Sequence, residues 1–378
     1  MSNVKTACVI SCSDHYGHRL NVIADYLRSV GYEVTYITSD FDHTSKQNFV
    51  CSVPGCVQLH AKPYRKNLSV DRILSHRMFA RDVFRYLEKQ ERQPDVVVSL
   101  VPPNFLVHYG ARYKKKHPNV YLIFDIFDMW PETFPFGRMK KLLAPVFCVW
   151  AWIRDHSLSR ADYVTTECEM FRRLLKLPDK NSRAIYLCAP ALKIPDCGVQ
   201  LREDSLELCY LGAINNVIDI PAICGLLRKL VREKPVTLHI IGKGERQQEL
   251  IDSAKSAGAQ VHFHGAIYDD EKKQQIINRC HFGLNMMKSS VCVGLTMKSI
   301  DYFRFGLPII NNIPADTEEL VRLRNIGIQC GDGCERRVLD MTAAECAAMR
   351  ENVKEVFETT FEKSVIDSQY RQLFDGVL

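Results

Sequence analysis

Short apolar, β-branched runs alternate with helical patterns along this chain, and the alternation occurs twice. The first series runs Thr6–Ser11, Glu33–Thr38, Asp95–Val101, Val120–Ile126 and Asp162–Thr166. Between its first two members Leu20, Ile23, Ala24, Leu27 and Val30 fall on one helical face, and Gly31 ends that helix. The second series runs Leu206–Leu211, Val236–Ile241, Gln260–His264, Phe282–Met286 and Pro308–Asn311. Strands separated by helices predict βαβ units, hence an α/β chain with two doubly wound parallel sheets. Ala189–Asp204, with Pro190, Pro195 and Gly198, reads as the break between them. With 378 residues, the chain is long enough for two cores of ordinary size. The tail from Ala343 is helical in composition.

Bulk properties narrow the function classes. A net charge of +6 is too small for a dedicated nucleic-acid binder. Basic residues gather at Arg112–Lys116 and Arg138–Lys141, which suit either a solvated face or an anionic partner. The 15 cysteines follow no apparent secretory signal and form no paired zinc spacing, so reduced thiols and a cytoplasmic location are expected. No apolar run reaches the roughly 18 residues that span a bilayer. Leu142–Ile153, flanked by basic residues and holding Trp150 and Trp152, reads either as a buried helix or as one lying in a membrane interface.

Ligands of doubly wound sheets bind at the carboxyl ends of the strands. Three loops of the second series stand there. Gly212 follows one strand, with Ala213 to Asn216 after it, and Gly242-Lys243-Gly244 follows the next, its glycines allowing close backbone approach to a ligand. The third loop, Gly294-Leu295-Thr296, opens a short helix whose N-terminus favours an anion such as phosphate. Lys298 and Asp301 share one face of that helix, Gly306 suits its C-cap, and Pro308 prevents its continuation. The pair reads either as a phosphate cation with a ribose acceptor or as a surface ion pair. His262 and His264 share one strand face, which alone makes no metal site.

In their order, several segments resemble glycosyltransferase family 4 of the bacterial surface-polysaccharide type. Asp128-Met129-Trp130-Pro131-Glu132 is similar to that family's Asp-Leu-Trp-Pro-Glu motif, and Ser159–Thr166 to a following strand. Gly242–Glu245 and Val261–Gly265 resemble paired strand ends of its donor domain, and Thr296–Ile310 its Lys-x-x-Glu-Tyr helix with the strand after it. Two departures stand out: the later family glutamate is Asp301 here, and the earlier acidic position falls on Val293. The Arg and Lys that usually follow the first donor-domain glycine are absent between Ala213 and Val217.

The resemblance implies a GT-B fold, two Rossmann-like domains facing across a cleft. Residues 1–195 would bind the acceptor, 196–360 the donor, and a helix in 361–378 would pack back on the first domain. It implies a retaining hexosyl- or N-acetylhexosaminyltransferase that moves a sugar from a nucleotide diphosphate, preferably a UDP-sugar, to a lipid-linked or saccharide acceptor. No metal and no cofactor would be required, and the membrane's inner face would be met through residues 138–154. Donor contacts would come from Gly212, Asn215, Gly242, Lys243, Gly244, Gly265, Thr296, Lys298 and Asp301. Acceptor contacts would come from His15, Tyr16, Gly17, His18, Asp125 and Glu132. Asp128 and Lys298 would be catalytic, although Asp128 could equally cap the turn before Pro131. A UDP-sugar epimerase and a non-catalytic sugar-nucleotide-binding subunit are the alternatives.

Overall fold

A computed structural model describes residues 4–13, 17–51, 53, 55–67, 69–134, 142–194 and 198–376, with only the backbone of Gly17 and His18. The chain divides into two compact units, Met1–Tyr186 with Asp367–Leu378, and Leu187–Ile366. The division falls ahead of the Pro-rich stretch in which composition changes.

The first unit contains β1 (Thr6–Ile10), β2 (Glu33–Ser39), the short hairpin β3 (Phe41–Asp42) and β4 (Gln47–Asn48), and β5 (Cys56–Leu59). β6 (Val96–Val101), β7 (Tyr121–Ile126), β8 (Tyr163–Thr166) and β9 (Ser182–Ala184) follow. Seven of these form one sheet in the order β5-β2-β1-β6-β7-β8-β9. All its pairings are parallel. β6, Val-Val-Val-Ser-Leu-Val, is buried along its whole length, as expected of a strand covered on both faces. Helices Val70–Glu88 and Asn104–Lys116 supply Phe79, Phe84 and Leu106 to the core beside it.

The second unit repeats the plan with β10 (Leu206–Leu211), β11 (Val236–Ile241), β12 (Gln260–Gly265), β13 (Phe282–Asn285), β14 (Ile309–Asn311) and β15 (Gly327–Gln329). Their order is β12-β11-β10-β13-β14-β15, again parallel throughout. Leu208, Tyr210, Leu238, Ile240 and Leu284 form its core with helix Ile220–Leu230, whose Asp219 cap accepts from the Ala222 N–H. The long strands match the apolar runs in the sequence. β3, β4, β5, β9 and β15, of two to four residues each, lie outside the strands expected from the sequence.

One buried ion pair organises the first sheet. Arg19, on helix Gly17–Ser29, grips Asp125 at the end of β7 through Nε–Oδ2 (2.7 Å) and Nη2–Oδ1 (2.8 Å). The Thr165 hydroxyl donates to the same Oδ1, and Arg19 Nη1 donates to the Ile185 carbonyl (2.7 Å). Asp125 is 0% exposed and both its oxygens are engaged, so it ties helix to sheet instead of meeting an acceptor as the sequence reading expected. Leaving one member of such a pair unpaired costs about 3–5 kcal/mol. Asp125→Ala is therefore expected to lower stability by that amount in denaturant titration. A loss below about 1 kcal/mol would show that the pair holds nothing together.

Candidate active site

The ends of β10, β11 and β12 and the loops after them interlock through their backbones. The Gly212 N–H donates to the Ile241 carbonyl (2.9 Å), the Ile214 N–H to Lys243 (3.0 Å), and the Gly242 N–H to Gly265 (2.7 Å). A Cβ added at Gly242 would lie 1.9 Å from the Gly212 oxygen, and one at Gly244 would lie 2.2 Å from the Ile214 oxygen. The glycines thus admit the neighbouring loop, and this close approach is what fixes their identity. Gly212 itself has φ +108° and Gly265 φ +68°, conformations that favour glycine. Asn215 accepts from the Val217 N–H (3.2 Å), a local turn bond, while Lys243 is exposed.

Helix Met297–Arg304 begins beside these loops. Thr296 is its N-cap, accepting from the Ser299 N–H (3.0 Å). Ser299 accepts in turn from Asn285 of β13 (3.0 Å), and Thr317 donates to the Gly294 carbonyl (2.6 Å), which fixes the preceding loop. Tyr302, wholly buried, pins the helix to the sheet. Its hydroxyl accepts from the Leu211 N–H (2.8 Å) and donates toward the carbonyls of Cys209 (3.2 Å) and Leu284 (3.1 Å). Gly283 makes room for that ring, since a Cβ there would lie 2.6 Å from it.

The consequence is the position of Lys298. Its ammonium donates to the Tyr210 hydroxyl (2.7 Å), lies 4.1 Å from that ring's centroid, and its Cε is 3.6 Å from where a Gly212 Cβ would stand. The Tyr210 hydroxyl donates in turn to the Ala213 carbonyl (2.8 Å). Lys298 therefore bonds Tyr210 and covers the first glycine loop; it does not form the surface pair with Asp301 that was one sequence alternative. Burial pushes the lysine down to about 7. Asp301, one turn on, is raised by burial, against the lowering effect of Lys273 and Arg304. A half-buried lysine and a half-buried carboxylate on this helix, beside the glycine loops, suit a charged ligand.

The first-unit candidates fare differently. His15 and Tyr16 lie outside the described residues, and Gly17 begins the first helix. Glu132 pairs with Arg154 through both oxygens (2.9 and 3.1 Å), and Arg154, 0% exposed, also donates to the Trp130 carbonyl (2.9 Å). It clamps its turn to helix Ala144–Leu158. Asp128 accepts from the Trp130 indole (2.7 Å), while burial raises its carboxyl. This is the turn-capping arrangement, so Asp128 orients Trp130.

Sequence reasoning missed Tyr210, Tyr302 and a cleft lined by Ser13, Phe41, Tyr64, Arg72, His76 and Trp130. Tyr302 belongs to the segment that carried the family resemblance, so only its role was overlooked. His262 and His264 sit with His239, whose Nδ1 is 3.0 Å from His264 Nε2 and whose Nε2 is 2.9 Å from Glu207 Oε2. Burial lowers the pKa of His239 and of His264.

The lysine shift has a measurable sign. The folded pKa of about 7 lies below the usual 10.5, so between them the unfolded chain binds more protons and stability rises with pH. Lys298→Met removes that gradient. The variant's Tm relative to the parent is expected to be most favourable near pH ~6 and to lose ground steadily toward pH ~10. A Tm difference that stays constant over this range contradicts a depressed ammonium.

Comparison with known proteins agrees with this architecture. Residues 206–335 match the sequence profile of the family described as Glycosyl transferases group 1. No curated protein matches the chain. Among solved structures, the lipopolysaccharide outer core galactosyltransferase WaaB is similar at 14% identity, over 99% of this chain and 100% of that one, with a TM-score of 0.68. Anabaena Alr3699/HepE, solved in complex with UDP and glucose, is similar at 12% identity over 99% and 100%, TM-score 0.62. WaaG, a glycosyltransferase involved in lipopolysaccharide biosynthesis, is similar at 11% identity over 98% and 99%, TM-score 0.59. The chain has the GT-B fold of two Rossmann-like domains, and residues 206–335 of the second are similar to the group 1 glycosyl transferases.

Proposed function

We propose that this protein is a retaining glycosyltransferase that moves a hexosyl or N-acetylhexosaminyl group from a UDP-sugar to a hydroxyl of a saccharide or lipid-linked acceptor. The second unit binds the donor and the first the acceptor, in polysaccharide or glycolipid assembly. The observation that carries the reading is Lys298, desolvated over the Gly212 loop at the mouth of a capped helix, inside the segment that matches the glycosyltransferase profile. In the reaction the bond from the sugar's C1 to the β-phosphate oxygen breaks and a bond from C1 to the acceptor oxygen forms. The acceptor's proton leaves to the departing diphosphate. Lys298 and the helix N-terminus offset the charge that develops there. Asp301 accepts from the ribose, and Lys243, Asn215, Gly265 and Thr296 border the donor. No metal or cofactor enters the scheme.

A thermal-shift panel of UDP, GDP, ADP, dTDP and CMP without metal tests the donor class. A ligand at ~100 times its dissociation constant adds roughly 2.7 kcal/mol to stability. One nucleotide is expected to raise Tm, and Asp301→Ala to lose that rise. Val293 in place of the family's acidic residue favours one competing reading, a non-catalytic partner subunit. A cooperative melt unmoved by every nucleotide would transfer support to it.

The same proposal places the protein at the inner face of a membrane. Helix Ala144–Leu158 buries only Arg154, Ser157 and Leu158 and leaves Val146, Val149 and Trp152 exposed, so the buried-helix alternative does not describe it. Trp150 packs against Trp130 and Phe134. The basic residues 138, 140 and 141 lie outside the described residues. No described helix is long and apolar enough to cross a bilayer. Replacing Val146, Val149 and Trp152 with Glu is expected to abolish sedimentation with anionic liposomes. Undiminished binding by a folded variant would remove this contact from the account.

A further inference from the structure

We propose that the cleft around Arg72 is a subsite for an anionic group, a carboxylate or a phosphate, carried by the acceptor sugar. The proposal rests on the reading of the first unit as the acceptor domain. The cleft lies where β1, β2, β6 and β7 deliver their following loops, the carboxyl edge at which such sheets bind ligands. Arg72, from helix Val70–Glu88, is only 8% exposed. Its guanidinium lies 4.2 Å from the centroid of the Trp130 ring, and Nη1 donates to the Asn67 carbonyl (3.0 Å). Its Nε is buried without a hydrogen-bond partner although the residue lines the cleft. A charged donor left unpaired out of water is unfavourable, and an oxyanion would supply the missing acceptor.

The charges nearby point the same way. Lys46 lies 4.8 Å from the Tyr64 ring centroid and bonds the His43 carbonyl and the Asn67 side chain. Of the acids described in this neighbourhood, Asp40 accepts from the Ala61 N–H (2.9 Å), and Asp42 and Asp128 serve turns. Asp42 accepts from the Thr44 N–H (2.7 Å) and the Ser45 hydroxyl (2.7 Å), and Asp128 from the Trp130 indole (2.7 Å). Arg72 and Lys46 thus present positive charge beside three aromatic walls, Phe41, Tyr64 and Trp130. Such walls suit the C–H faces of a sugar ring, while the planar guanidinium suits an oxyanion. His76, stacked on Trp130 at 5.7 Å, completes the wall.

The test uses the whole protein with UDP in excess, so that the donor position is not available to the probes. Methyl glucuronide (carboxylate arm), glucose 6-phosphate (phosphate arm) and methyl glucoside (neutral control) are titrated by ligand-observed NMR. At least one anionic probe is expected to bind about tenfold more tightly than the neutral one. Whichever does so identifies the source of the charge. Arg72→Gln should erase that preference, while Arg72→Lys, which keeps the charge but loses the planar fork, should weaken it. Equal binding of charged and neutral probes, no binding of any, or an unchanged preference in folded Arg72→Gln overturns the subsite. If the glutamine variant does not fold, undiminished preference in Arg72→Lys overturns it equally. Failure of the transferase reading would appear elsewhere, as an absent response to UDP with anion binding in the first unit intact.

Discussion

The arrangement of the second unit depends on one phenol. Tyr302 reaches from the underside of its helix into the sheet, where a single hydroxyl satisfies the Leu211 N–H and faces carbonyls of both β10 and β13. A buried backbone donor at a strand end has few partners to choose from, so this bond fixes where the helix can sit. The helix start, one turn earlier, then lies over the glycine loops and Lys298 covers Gly212. Everything claimed for donor recognition follows from that placement, and Gly283 exists to admit the ring that enforces it.

Polar groups in the first unit divide into those that hold the sheet and those left over. Asp125 and Glu132 pair with buried arginines, and Asp128 accepts from an indole. Among the described residues of this unit, Arg72 is a buried cation whose Nε lacks a partner, at the edge where a ligand would arrive. The same logic separates the histidines of the second unit, which satisfy one another and Glu207.

How much was legible in the sequence follows from where each signal resides. Long strands such as β6 and β11 announce themselves because burial on both faces demands continuous apolar runs. β9 and β15 have three residues each, too few for a period to be read. The glycines at 242 and 244 were visible, yet their reason was not: the contacts that require them come from Gly212 and Ile214 on another loop. Asp125 and Glu132 looked ligand-facing because the arginine partner of Glu132 is 22 positions away, and that of Asp125 is 106 away. The Arg72 cleft gathers residues from loops spread over the first 130 positions, and no local spacing encodes that convergence.

A crystal structure of the protein with UDP tests the central claim most directly. The account predicts diphosphate oxygens within about 3 Å of the Lys298 ammonium, hydrogen-bonding distance, above the Gly212 loop and the start of helix Met297–Arg304. Density for UDP at any other place, with Lys298 still bonded only to Tyr210, would contradict it.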